Sequence, residues 1–170
     1  MGRRAVYISI GEPRLEALWW LEDTAFRAAF ADIEEDESLG RLNIGKLWDA
    51  LHCTFTGTSA CSPVEDNPLS ESVVGVCPKV YDDGDYSTFV SVIDNSDLPK
   101  LIAALERMDE GCLKAMLDPA RMEKEGVYPN GIWTTPADDL VAEMFHAVEA
   151  IIGFFREAMS SGHHVLATIV

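Results

Sequence analysis

The sequence predicts an α+β fold, one domain over residues 1–170 in which a small mixed β-sheet packs with several helices. Three stretches carry that prediction. Ala5–Ile10 sets Val6, Ile8 and Ile10 against Tyr7 and Ser9, the alternation of a strand. After Thr135 the residues Leu140, Val141, Met144, Val148, Ile151, Ile152, Phe155 and Met159 form the longest helical stripe, closed by Gly162. His164–Val170 is apolar almost throughout, as a strand covered on both faces would be. That final strand is therefore placed centrally, beside the first.

The remaining elements follow in order. Glu12-Pro13 opens a helix, with proline tolerated in its first turn, and Leu15, Leu18, Trp19, Phe26, Phe30 and Ile33 continue its stripe past a break at Asp23-Thr24. Ile44, Leu47, Trp48 and Leu51 recur at helical spacing up to Cys53, with Asn43 as the expected N-cap. Ser62–Asn67 reads as loop, and Leu69–Val76 as a short helical or irregular segment. Tyr81–Asp85 reads as a turn, and Tyr86–Ile93 as a strand. Asp97 caps a helix bearing Leu98, Leu101, Ile102, Leu105 and Met108. Residues 110–124 form one or two short helices, the second opening at Asp118-Pro119. Tyr128-Pro129-Asn130-Gly131 is a turn, and Thr135 is the expected cap of the long helix.

Composition narrows the function classes. A chain of 170 residues with 48% hydrophobic content and mean hydropathy +0.03 has the balance of a globular protein able to bury a full core. No apolar run approaches the ~20 residues a membrane span needs, and no secretory h-region opens the chain, so the expected location is cytoplasmic. Cys53, Cys61, Cys77 and Cys112 include no C-x-x-C pair, and reduced thiols are expected there. The carboxylates of Tyr81–Asp85 lack calcium-loop spacing, and no metal or cofactor is expected. Net charge of −16, from 29 acids against 13 bases, argues against nucleic acid, whose phosphates demand a cationic surface. It suits a basic protein partner, because opposite potentials steer encounter. The oligomeric state stays open.

Polar chemistry concentrates between Leu42 and Ser59. Lys46, Asp49 and His52 are spaced so that Asp49 neighbours both others on a helix surface. Two readings stand. In one, Asp49 pairs with Lys46, His52 caps the helix end and Thr56, Thr58 and Ser59 tie down a turn at Gly57. In the other, Trp48, Asp49, His52, Thr56, Thr58 and Ser59, with Tyr128 at the rim, recognise a small polar ligand or form a hydrolase-like site with His52 as general base oriented by Asp49. A nucleophile elbow would need glycine where Cys61 stands, and no Gly-Lys-Ser/Thr tripeptide occurs for a phosphate loop.

The run Lys46, Trp48, Asp49, Leu51, His52 followed by Thr56-Gly57-Thr58-Ser59-Ala60 resembles the signature of the bacterial YfbM-like family, a domain of unknown function. Pro68-Leu69-Ser70 with Gly75, Val127-Tyr128-Pro129 and the strand after Gly162-His163 extend the resemblance over the whole chain. It implies a compact domain of mixed helices and strands, and no activity, cofactor or catalytic residue. The acidic run Asp32–Glu37 and the loop Tyr81–Asp85 lie outside its pattern.

The functional expectation is a non-catalytic, acidic, cytoplasmic binding protein, of the kind that inhibits a basic toxin as an immunity protein does. Glu34, Glu35, Asp36 and Glu37 are the candidate partner-binding residues, and Trp19, Trp20 and Trp133 the candidate anchors.

Overall fold

The computed structural model describes residues 2–82 and 87–170, apart from the side chains of Asp23, Cys77, Val80, Tyr81, Asp82, Ser87 and Thr88. The chain begins with β1 (Ala5–Ile10), α1 (Glu12–Trp19), α2 (Asp23–Glu35) and β2 (Arg41–Gly45). It continues through α3 (Trp48–Thr56), α4 (Pro68–Val74), β3 (Val76–Asp82) and β4 (Ser87–Ile93). The rest comprises α5 (Leu98–Leu105), α6 (Glu110–Met116), α7 (Pro119–Glu125), α8 (Ala137–Ser160) and β5 (His164–Ile169). The turn expected at Tyr81–Asp85 falls largely outside the described residues.

The strands form one sheet in the order β2-β1-β5-β4-β3. The α+β class is as expected. Each pairing is antiparallel, where a mixture of directions was expected. β5 is the central strand and lies beside β1, with Ala5 opposite Ile169 and Ile10 opposite His164. All six of its residues are buried, including Val165, Leu166 and Ile169.

Alternation along the strands divides the core into two layers. Ile8, Ile10, Val90 and Leu166 meet α1 and α2 through Leu15, Leu18, Phe26, Phe30 and Ile33. Tyr7, Ile93, Val165, Ala167 and Ile169 belong to the other cluster, with α3, α5 and α8. A sheet covered on both faces leaves no polar side on β5, hence its continuous apolar run. The Tyr7 hydroxyl donates to the carbonyls of Ser72 and Val73, at 3.3 and 3.0 Å, and so ties β1 to α4.

Several local expectations change. Asn43 does not cap a helix; it lies in β2, and its Oδ1 accepts the Gly45 N–H at 2.8 Å. Val76–Asp82 is a strand, although Pro78 interrupts its donors, because β3 is at a sheet edge where a missing N–H is tolerated. Thr135 does not cap α8, whose N-cap is Pro136 without a side-chain bond. α7 opens at Asp118-Pro119 as expected, and Asp118 caps it by accepting the Arg121 N–H at 3.0 Å. Among the described residues no helix is long and apolar enough to cross a membrane.

Candidate functional site

α3 ends where Gly57 adopts φ +80°, a left-handed conformation that glycine takes without a Cβ clash. The chain then doubles back, and Asp49 in the first turn of the helix holds the returning loop. Its Oδ1 accepts the Ser59 hydroxyl at 2.8 Å and the Ala60 N–H at 2.7 Å. Its Oδ2 accepts the Tyr128 N–H at 2.8 Å, 79 residues away. Asp49 is only 3% exposed, so all this happens in a low-dielectric interior, where charged acceptors bind donors strongly. Lys46, an exposed side chain, is not among its partners. The expected Lys46–Asp49 pair is replaced because a buried carboxylate needs several close donors and the loop supplies them.

His52 is fully buried and has its own set of partners. Nδ1 lies 2.9 Å from the Thr58 carbonyl, which can only accept, so Nδ1 carries the proton. Nε2 is then the acceptor, and the Ser70 hydroxyl donates to it across 2.8 Å. Ser70 Oγ in turn accepts the Val64 N–H at 2.9 Å. Burial pushes the imidazole pKa below its ordinary value, opposed by the Thr58 carbonyl and the Asp49 charge. His52 is thus a neutral connector joining α3, the 58–64 loop and α4. The arrangement with Asp49 orienting His52 is corrected: neither ring nitrogen bonds to that carboxylate.

The hydroxyls are similarly committed. Thr56 Oγ1 donates to the His52 carbonyl at 2.9 Å and accepts the Thr58 N–H at 3.2 Å. Ser59 Oγ, besides donating to Asp49, accepts the Cys61 N–H at 3.2 Å. Thr58 is exposed, and its Oγ1 donates to the Ser62 carbonyl at 3.3 Å. The Trp48 and Tyr128 rings pack with centroids 5.7 Å apart, Trp48 buried and Tyr128 half-buried.

The structure therefore brings the seven candidates Trp48, Asp49, His52, Thr56, Thr58, Ser59 and Tyr128 together, six through hydrogen bonds and Trp48 through packing on the Tyr128 ring. Two members of this network were missed by sequence reading. Ser70 completes the histidine network, and Arg121 donates to the Gly57 carbonyl at 3.2 Å. Both lie on other helices, and only the Pro68-Leu69-Ser70 match hinted at the first. A serine hydroxyl 2.8 Å from a histidine nitrogen has the spacing of an activated nucleophile. Here the pair is sealed, with Ser70 1% and His52 0% exposed.

The acidic run lies on the opposite face of the sheet, at the end of α2. Asp36 accepts the Ser38 hydroxyl and N–H at 2.6 and 3.0 Å and the Arg14 guanidinium at 2.5 Å. Ser38, then Arg14, hold its carboxyl down to about 2. Glu34, Glu35 and Glu37 are exposed. Arg41 donates to the carbonyls of Ile33 and Asp36, at 2.5 and 3.1 Å, fastening this turn to the start of β2. Of the candidate anchors, Trp133 is buried, Trp19 is half-buried beneath the Lys79 ammonium, and Trp20 is 84% exposed.

A family model described as a domain of unknown function (DUF1877) matches residues 1–168. The chain belongs to the DUF1877 family. It is 32% identical over 136 residues to Protein YfbM of Escherichia coli K12, covering 78% of each chain. It also matches the crystal structure of YfbM from Escherichia coli, described as a protein of unknown function, with a TM-score of 0.78 at 28% identity. That match covers 98% of this chain and 99% of the other. The YfbM-like resemblance read from the Trp48–Ala60 motif thus holds over nearly the whole length. In this DUF1877 chain, the most recognisable motif coincides with the hydrogen-bonded network around Asp49 and His52.

Proposed function

We propose that this chain is a non-catalytic cytoplasmic binding protein that captures a basic protein partner, inhibition of a basic toxin being the most specific form of that role. The observation that carries the reading is the acidic turn after α2. Asp36 is committed to Arg14 and Ser38, and the fixed backbone presents Glu34, Glu35 and Glu37 to solvent. With a net charge of −16 behind it, such a turn accelerates encounter with a cationic surface. Charge alone supplies rate more than affinity, and Trp20 supports the reading as an exposed aromatic anchor at the other end of the α1–α2 pair. The sealed state of His52 and Ser70 supports a role without catalysis. The free thiols of Cys53, Cys61 and Cys112 fit a reducing compartment.

The test is affinity capture with the whole chain from the native host, at about 20 mM and about 150 mM salt, conditions that differ severalfold in Debye screening. A basic protein should be recovered, more strongly at low salt. Replacing Glu34, Glu35 and Glu37 together by Gln should slow association about tenfold, the low end of electrostatic steering effects. Trp20→Ala should mainly speed dissociation. Failure to recover a basic partner at either salt, or a triple variant that associates as fast as the parent, defeats the proposal.

A further inference from the structure

β2 is a sheet edge, and its register shows which backbone groups that edge presents. The Gly40 carbonyl accepts the Ser9 N–H at 2.9 Å, and Leu42 lies opposite Tyr7 on the same register. In an antiparallel ladder, bonded pairs alternate with non-bonded ones. Leu42 therefore turns its backbone toward β1, while Arg41 and Asn43 turn their N–H and C=O groups outward. Among the described residues no strand pairs with that side of β2. After Asn43 the register shifts, placing Gly45 opposite Ala5, and the Gly45 N–H is held by the Asn43 side chain, which marks the end of the open stretch.

An open groove of about 850 Å³ adjoins this edge. Leu42–Leu47 form one wall, Ala142, His146 and Ala150 of α8 the other, and Pro129 and Asn130 contribute where the Tyr128 turn approaches. The alanines leave room above the helix. Charge differs from one end of β2 to the other. Lys46 stands beyond the end of β2, Glu143 on the helical wall, and the Glu34–Glu37 turn is fastened by Arg41 beside the start of the strand. Outward N–H and C=O groups two residues apart match one kind of occupant, another extended backbone.

We propose that the β2 edge receives an extended segment of the basic partner as a sixth strand, bonded to the N–H and C=O groups of Arg41 and Asn43. The segment runs antiparallel to β2, as the strands of this sheet do. Its C-terminal residues then lie beside Glu34, Glu35 and Glu37 and are the basic ones. Every second residue before them is apolar, of moderate size, and lies over Ala142 and Ala150. The inference rests on the cationic-partner reading and adds how that partner is held.

A display library of random decapeptides, selected against the whole chain at physiological salt, provides the probe. Selected peptides should alternate apolar residues ahead of Lys or Arg, and their binding should slow exchange of the Arg41 and Asn43 amides. Each peptide is then remade with N-methyl groups on one or the other alternating set of its amides. A strand donates to each side through alternate residues, so one set should cost about tenfold or more in affinity and the other less than about twofold. This leaves the protein's own fold untouched. Edge docking is overturned if no peptide is selected, if both methylated sets bind equally, or if a second copy of the chain already protects those amides. The cationic-partner proposal is judged separately, by whether replacing Glu34, Glu35 and Glu37 slows capture of the native protein. Capture that depends on those acids but tolerates both methylation patterns in the partner's segment would leave that proposal standing and remove this one.

Discussion

The Asp49 carboxylate accepts the backbone N–H of Tyr128 at 2.8 Å, and with it the late turn at Tyr128–Pro129 becomes part of the α3 motif. The same side chain gathers Ser59 and Ala60, so one buried charge organises two loops remote in sequence. Asp49→Ala would leave three donors without their acceptor, and it should lower unfolding stability by about 3 kcal/mol or more, given the typical cost of losing charged hydrogen bonds. Asp49→Asn keeps one carbonyl oxygen and should cost roughly half as much. Urea denaturation of both variants measures this, and equal midpoints for Asp49→Ala and the parent would refute the role.

His52 gives the fold a pH dependence of definite sign. Burial lowers its pKa in the folded chain, so the unfolded state binds a proton more readily. Its stabilising contribution is therefore complete above the unfolded value of about 6.5 and is lost as pH falls from there toward the folded value. Protonation also places a second N–H against Ser70 Oγ, which already accepts from Val64. Unfolding midpoints taken between about pH 8 and pH 5 should drop more steeply for the parent than for His52→Gln. Parallel curves for the two proteins would show that His52 is not the group responsible.

Two glycines should respond oppositely to alanine. At Gly75 (φ +68°) an added Cβ would stand 2.1 Å from Ser91 Oγ, whose hydroxyl donates to the Val74 carbonyl at 2.5 Å. Gly75→Ala should thus destabilise by about 3 kcal/mol or more, combining backbone strain with the clash. Gly153 is exposed within α8 with nothing within 4 Å of an added Cβ. Gly153→Ala should stabilise by about 0.5–1 kcal/mol through helix propensity. Thermal melts of both variants decide the matter, and a loss of stability at Gly153 would contradict the helical account.

Trp20 separates folding from recognition. Being 84% exposed, it should tolerate Trp20→Ala with a stability change within about 0.5 kcal/mol, as surface positions do. Trp133→Ala, at a buried site, should cost about 3–5 kcal/mol. If Trp20→Ala melted at a clearly lower temperature, the residue would belong to the packing and its candidacy as an anchor would end.

The strongly periodic elements were legible. β1, the long helix α8 and the central position of β5 follow from spacing and from an apolar run that only a doubly covered strand requires. β2 was obscured because Ile44, Leu47, Trp48 and Leu51 already satisfy helical spacing, while the strand Arg41–Gly45 shows only its half-buried Leu42, Ile44 and Gly45. Its identity depends on β1, a partner that local spacing does not contain. β3 was hidden by Pro78, a residue that argues against a strand unless its edge position is known. At the site, the Asp49-His52 spacing correctly marks a polar centre but not its wiring. Helical neighbours share a surface, yet both side chains are buried and take their partners from Ser59, Tyr128, Thr58 and Ser70.

β5 separates the β2–β1 pair from the β4–β3 pair, and among the described residues no other strand joins them. Since residues 164–169 are made after β1–β4, the growing chain can form only two disconnected ribbons until they emerge. The sheet closes as β5 enters between them, through contacts whose sequence separation reaches from Ala5 to Ile169. Such long-range closure is slow compared with helix formation, and until it occurs the facing edges of β1 and β4 stay open to other chains. Insertion of β5 is thus the step that joins the two halves of the sheet, and a chain halted before His164 would be the form most exposed to aggregation.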